Sequence, residues 1–189
     1  PPRLQLIRED ILKSGKMNSW EADDYLQWYD AYDRFLKEKG FDKAFPTVDD
    51  LTRSMGNVSF YYQGRIIENI RISNTVDAYA VNGWESMKLE NHSGIVDNYR
   101  FPKGDPEVMA RYNAPLYLAV KMNRKVVSTG DTTLVDTYIV NEKNLKGSYI
   151  LNLVAKDESG NVVASHKERV TVKGGNDYGR WLQRGWVFL

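Results

Sequence analysis

From Pro115 onward, apolar and polar residues alternate with a period of two, whereas before Asn113 apolar residues recur every three or four positions. The first period belongs to strands and the second to helices. Leu4, Ile7, Ile11 and Leu12 predict a helix over Arg3–Lys13 that Gly15 ends. Asn18, with Glu21 three residues on, is a capping-box start for a second helix. That helix puts Ala22, Tyr25, Leu26, Tyr29, Tyr32 and Leu36 on one face, widened by Trp28 and Phe35, and Gly40 stops it. Thr47, followed by Asp49 and Asp50, opens a helix or helix pair reaching about Ile72. Gly56 and Gly64 inside it each cost about 1 kcal/mol relative to alanine, which predicts close packing or a break. Asp105-Pro106-Glu107 starts a last helix that ends at about Tyr112, because Ala114 precedes a proline.

The alternating half predicts strands at Leu116–Met122, Thr132–Asn141, Ser148–Lys156, Val162–Val172 and Trp181–Leu189. Turn signals at Thr129-Gly130-Asp131, Lys146-Gly147 and Asp157 to Asn161 separate them. Short strands so spaced predict an antiparallel sandwich of immunoglobulin type, with fewer strands than such a domain usually has. The sequence stops on the apolar strand Trp186-Val187-Phe188-Leu189, as a fragment would. The composition shift at Asn113–Pro115 divides it into residues 1–113 and 114–189.

Composition narrows the function. Lys plus Arg number 26 against 25 Asp plus Glu, a net charge of +1, so no field steers nucleic acid or an anionic membrane to this protein. Apolar runs are too short for membrane insertion, and no charged-then-apolar leader opens the sequence. The absence of cysteine removes disulfides and thiol chemistry, and two histidines make a His-based metal site a poor expectation. The aromatic share, 12%, is the unusual number; it fits a large aromatic core, carbohydrate binding by part of the set, or both.

One stretch, Asp77–Lys103, has the composition of a sugar cleft. It runs from a strand-like Val76–Trp84 through Glu85 into a polar loop and ends on Arg100-Phe101-Pro102-Lys103. Tryptophan faces stack on the C–H faces of pyranoses, while carboxylates and amides fix hydroxyls. Glu85, Glu90 and Asp97 lie around this loop, with His92 as a hydroxyl-positioning candidate. Glycoside hydrolysis needs two carboxyl groups, about 5 Å apart in retaining enzymes, and spacing alone brings no two of these together. Phosphate-binding loops, a G-x-S-x-G elbow and an H-E-x-x-H helix are all missing from the sequence. The basic run Lys121–Lys125 reads as a solvated strand end.

Asp77-Ala-Tyr-Ala-Val-Asn-Gly-Trp84-Glu85 resembles the eighth barrel strand of family two glycoside hydrolases, the group of β-galactosidases, β-mannosidases and β-glucuronidases. Gly94-Ile-Val-Asp-Asn-Tyr-Arg100-Phe-Pro102-Lys103 resembles that family's G-I-x-x-x-x-R-x-P-K loop before the last barrel helix. The run from Pro115 to Gly147 is similar to the immunoglobulin-like domain that follows the barrel in large enzymes of gut Bacteroidetes. The resemblance implies an α+β protein in two parts: the helix-rich C-terminal portion of a (β/α)8 barrel, with its last strand at about 76–84, then an immunoglobulin-like antiparallel β-sandwich. It implies a retaining β-glycosidase as the parent, with a carbohydrate substrate, no obligatory organic cofactor and a periplasmic or secreted location; no metal-binding residues are expected in this piece. In that family the catalytic glutamates sit on strands four and seven, upstream of this segment, so the piece itself is expected to be inactive. Trp84 carries over as the sugar contact and Glu85 by its position beside it. A barrel strand without neighbours predicts dimerisation, giving a homo-oligomer, or rearrangement. The alternative is a non-catalytic carbohydrate-binding or structural scaffold module.

Overall fold

The computed structural model describes residues 1–16, 18–86, 94–175 and 179–188. The fold is mixed α+β: among these residues are four α-helices and two small antiparallel sheets. The helices are α1 (Leu4–Ser14), α2 (Trp20–Lys39), α3 (Val48–Ser73) and α4 (Pro106–Tyr112). Strands β1 (Leu116–Met122), β2 (Thr133–Asn141) and β5 (Gly179–Phe188) form one sheet in the order β1-β2-β5, and β3 (Gly147–Lys156) pairs with β4 (Val162–Val172) in the other. The protein divides into two compact units, residues 1–65 with 78–111, and residues 66–77 with 112–189.

In the first unit the apolar stripes of α1 and α2 meet. Leu4, Ile7 and Ile11 are buried with Ala22, Tyr25, Leu36 and Val48, and Trp28, Tyr29, Tyr32, Tyr99 and Phe101 pack around them. Part of the aromatic excess therefore lines this core, while Trp20, Phe35, Phe41, Tyr61 and Tyr62 stay exposed. The caps are local: Gly15 and Gly40 close α1 and α2 in the left-handed conformation. α2 begins one residue later than the capping-box reading, because Ser19 rather than Asn18 accepts the Ala22 N–H at 3.1 Å. Such a cap contributes about 1 kcal/mol.

α3 is one helix rather than two, and Gly56 explains why no break is needed. A Cβ at position 56 would overlap the Lys103 carbonyl, and one at Gly104 would lie 2.8 Å from the Gly56 carbonyl carbon. The glycine pair lets the segment entering α4 run against the helix, and Asp105 fastens it by donating its N–H to Asn57 Oδ1 at 2.6 Å.

The expected strand at Val76–Trp84 does not form. No residue from Val76 to Trp84 joins a ladder; the isolated bridge from Glu85 to Val96 lies just beyond it, and Val76, Tyr79 and Val81 are exposed. Alternation makes a strand only where a neighbouring strand takes up the backbone groups, and no such neighbour is present among the described residues.

In the second unit, Leu151, Leu153 and Val170 of the two-stranded sheet pack with Leu182 and Trp186 of β5. The last turns of α3 are clamped to β1. Glu68, 1% exposed, accepts from the Tyr117 hydroxyl at 2.5 Å and faces the Lys121 ammonium at 2.5 Å. The reading of Lys121 as a solvated strand end is thus corrected: its charge neutralises a buried carboxylate. Arg71 donates to the Tyr112 and Ala114 carbonyls and to Glu142 Oε1, at 2.5, 2.8 and 2.8 Å.

Two substitutions test this packing. Gly56→Ala should destabilise the first unit by about 1–3 kcal/mol through overpacking. Arg71→Ala should cost the second unit about 2–4 kcal/mol, because two carbonyls and Glu142 lose their donor. Urea unfolding followed by circular dichroism and tryptophan fluorescence reads both.

Candidate functional site

The residues singled out around Asp77–Lys103 belong to the first unit. Glu90 and His92 lie outside the described residues. Trp84, Glu85, Asp97 and Arg100 lie within them, and the structure gives them distinct roles.

Asp97 is the anchor of the loop. It is fully buried, and its carboxylate accepts three backbone N–H groups, from Arg3, Tyr99 and Phe101, each at 3.0 Å. Asp97 also donates its own N–H to the Phe101 carbonyl, and its carbonyl accepts the Arg100 N–H, which closes a tight turn. Arg100 sits in that turn at φ 64°, a left-handed conformation that a non-glycine residue adopts only at some cost. Tyr25 of α2 donates its hydroxyl to Asn98 Oδ1 at 2.6 Å and meets Tyr99 edge-on at 5.9 Å. Arg3 completes the frame with a bidentate pair to Asp49, 2.7 Å in both bonds, and a bond to the Pro102 carbonyl. Burial raises the Asp97 pKa above the ordinary value of 3.8, against the opposing pull of its three backbone donors and Lys103.

The framed turn carries the tryptophan segment. Ile95 and Val96 both donate to the Trp84 carbonyl, at 2.9 and 3.1 Å, Ser86 donates to Val96, and Lys103 donates to Ile95. The backbone of Trp84 is thereby fixed while its indole stays open, the residue being 68% exposed. Beside it, Glu85 Oε2 lies 3.5 Å from Arg100 Nε in a solvent-exposed pair worth at most about 1 kcal/mol.

The arrangement presents an exposed indole at Trp84 and, on the next residue along the chain, a carboxylate paired with the Arg100 guanidinium. It does not present an open carboxylate pair among the described residues, since Asp97 is enclosed and spent on backbone donors. A hollow lined by Met55, Ser59, Phe60, Gly94 and Lys103 has a volume of about 160 Å³. Small-molecule pockets run to roughly 300–1,000 Å³, so that hollow is too small to be one. No group of three or more His, Asp or Glu residues is placed to hold a metal ion among the described residues, and no helix there is long and apolar enough to cross a membrane.

Sequence reasoning selected Trp84 and Glu85 but missed Arg3, Asp49 and Tyr25 as the residues that frame them. Arg3 and Asp49 stand 46 positions apart, and only a hydrogen-bonding demand from the buried Asp97 would have linked them. Comparisons with family models, with curated proteins and with solved structures found no match to this protein.

Asp97 supplies a test with a definite sign. Its folded pKa lies above the unfolded one, so the stability contributed by the protonated form is full below the ordinary carboxylate range and is lost as pH rises through the raised value. A carboxyl-carbon NMR titration should place its midpoint above 3.8. Asp97→Ala should cost about 3 kcal/mol, since three backbone donors lose their acceptor; thermal melts between about pH 3 and 7 check both.

Proposed function

We propose that this protein is a piece of a family two β-glycosidase: the close of its catalytic barrel, then the immunoglobulin-like β-sandwich that follows it. In this reading Trp84 is a wall of the sugar subsite, Glu85 is its polar neighbour, and the catalytic glutamates come from elsewhere in the parent enzyme. The observation that carries the proposal is the hydrogen bonding between the two segments that resemble the family. Ile95 and Val96 of the G-I-x-x-x-x-R-x-P-K run both donate to the Trp84 carbonyl, and Lys103 donates to Ile95 within the run, while the indole stays exposed. Two sequence signatures with one shared geometry are better grounds than either motif alone.

The mechanism assigned to this piece is recognition. The indole gives a pyranose an apolar face, and the Glu85–Arg100 pair offers an acceptor and donors to its hydroxyls. The five strands of the second unit supply the start of the sandwich: an antiparallel three-stranded sheet and a hairpin packed against it.

A second reading, a non-catalytic carbohydrate-binding module, is favoured by one observation. Asp97 is buried and Glu85 is engaged by Arg100, so the described loop has no carboxylate pair open to a glycosidic bond.

Calorimetry against β-galactosides, β-mannosides and polysaccharides tests both. The expected outcome is binding that Trp84→Ala weakens roughly tenfold, about 1–1.5 kcal/mol, without turnover of nitrophenyl β-glycosides. Polysaccharide binding with no affinity for simple β-glycosides would favour the second reading. Absence of any binding, or turnover abolished by Glu85→Gln, would overturn the proposal.

A further inference from the structure

The stretch leading into Trp84 contains the one Asn-Gly dipeptide of the sequence, Asn82-Gly83. The structure puts it in an irregular, solvent-facing segment: Asn82 is exposed, and Gly83 has φ 74°. Among the described residues, neither the Asn82 amide nor the Gly83 nitrogen is engaged in a hydrogen bond. Other asparagines are held. Asn57 accepts from Asp105, Asn98 from Tyr25 and Asn123 from Thr133 and Leu134, while Asn141 is bonded on both amide atoms to Leu145. Each of these is followed by a residue whose Cβ crowds the next backbone nitrogen.

We propose that Asn82-Gly83 is a site of spontaneous covalent modification, by succinimide formation and hydrolysis. Gly83 gives up its amide proton to solvent base, and its nitrogen attacks Asn82 Cγ. A new N–C bond closes the ring as the Cγ–Nδ2 bond of Asn82 breaks and ammonia leaves. Solvent water then opens either ring carbonyl to give aspartate or isoaspartate, with no change in oxidation state. Two features select this site. Glycine leaves the attacking nitrogen unshielded, and the segment lacks the ladder bonds that would hold the peptide group away from the Asn82 amide. The product carries a new carboxylate beside Trp84 and cancels the formal net charge of +1. This chemistry is independent of the sugar reading, because it requires no ligand.

The test is peptide mapping of the intact protein during incubation at neutral and mildly alkaline pH, in ordinary and oxygen-18 water, with enzymatic methylation to detect isoaspartate. Asn82 should convert ahead of every other asparagine, faster at higher pH, and with one labelled oxygen incorporated. Asn82→Gln should remove the signal, and Gly83→Ala should slow it roughly tenfold, since a Cβ then flanks the nitrogen. Circular dichroism of the unmodified variants verifies that each is folded. First conversion at another asparagine, or a Gly83→Ala variant converting as fast as the parent, would overturn the proposal.

Discussion

The enclosed carboxylate of Asp97 is the constraint on which the first unit depends. A carboxyl group in a dry interior is tolerated only when its oxygens are saturated, and here saturation comes from backbone N–H groups at Arg3, Tyr99 and Phe101. Those donors belong to the entry of α1 and to the loop itself, so satisfying one carboxylate fixes two segments distant in sequence. Arg3 then extends the constraint to α3 through Asp49. The exposed indole of Trp84 keeps a defined position because its own carbonyl is bound to this frame, not because its ring is packed.

The second unit solves the same problem with ions. Glu68 is buried against Lys121 and Tyr117, and Arg71 spans two carbonyls and Glu142. Replacing such a cluster by apolar residues is often neutral, whereas removing one member exposes the cost of the rest. Its value here is positional: side chains of defined length set the last turns of α3 against β1 in a single register.

Local signals in the sequence transferred well to the structure. The period of two located five strands, β1 and β4 with their expected limits, and the helical stripes located four helices, because apolar periodicity reports a face that must be buried. Failures came where a partner decides the outcome. Val76–Trp84 alternates as a strand does, yet no neighbouring backbone completes it among the described residues. Gly56 was legible as a special position, but that it answers to Gly104 was not, since the two are far apart in sequence. In the sequence Lys121 is one charge of a basic run, and the Glu68 carboxylate that it neutralises comes from a different element, α3. For the candidate site, residue type singles out Trp84 and Glu85, whereas the residues that frame them are visible only through their hydrogen bonds.

The two compact units interleave along the sequence: residues 66–77 belong with the strands, and residues 78–111 return to the helices. Neither unit is therefore a cassette. A cut at the composition shift near residue 113 would strand Tyr117, Lys121 and Glu142 without the helical turns that carry Glu68 and Arg71. During synthesis the same connectivity sets an order. Asp97 must emerge before Arg3 can be bound, and the turns bearing Glu68 and Arg71 wait for β1 and for Glu142 beyond β2, so each half spends part of its translation with a buried-type charge still in water.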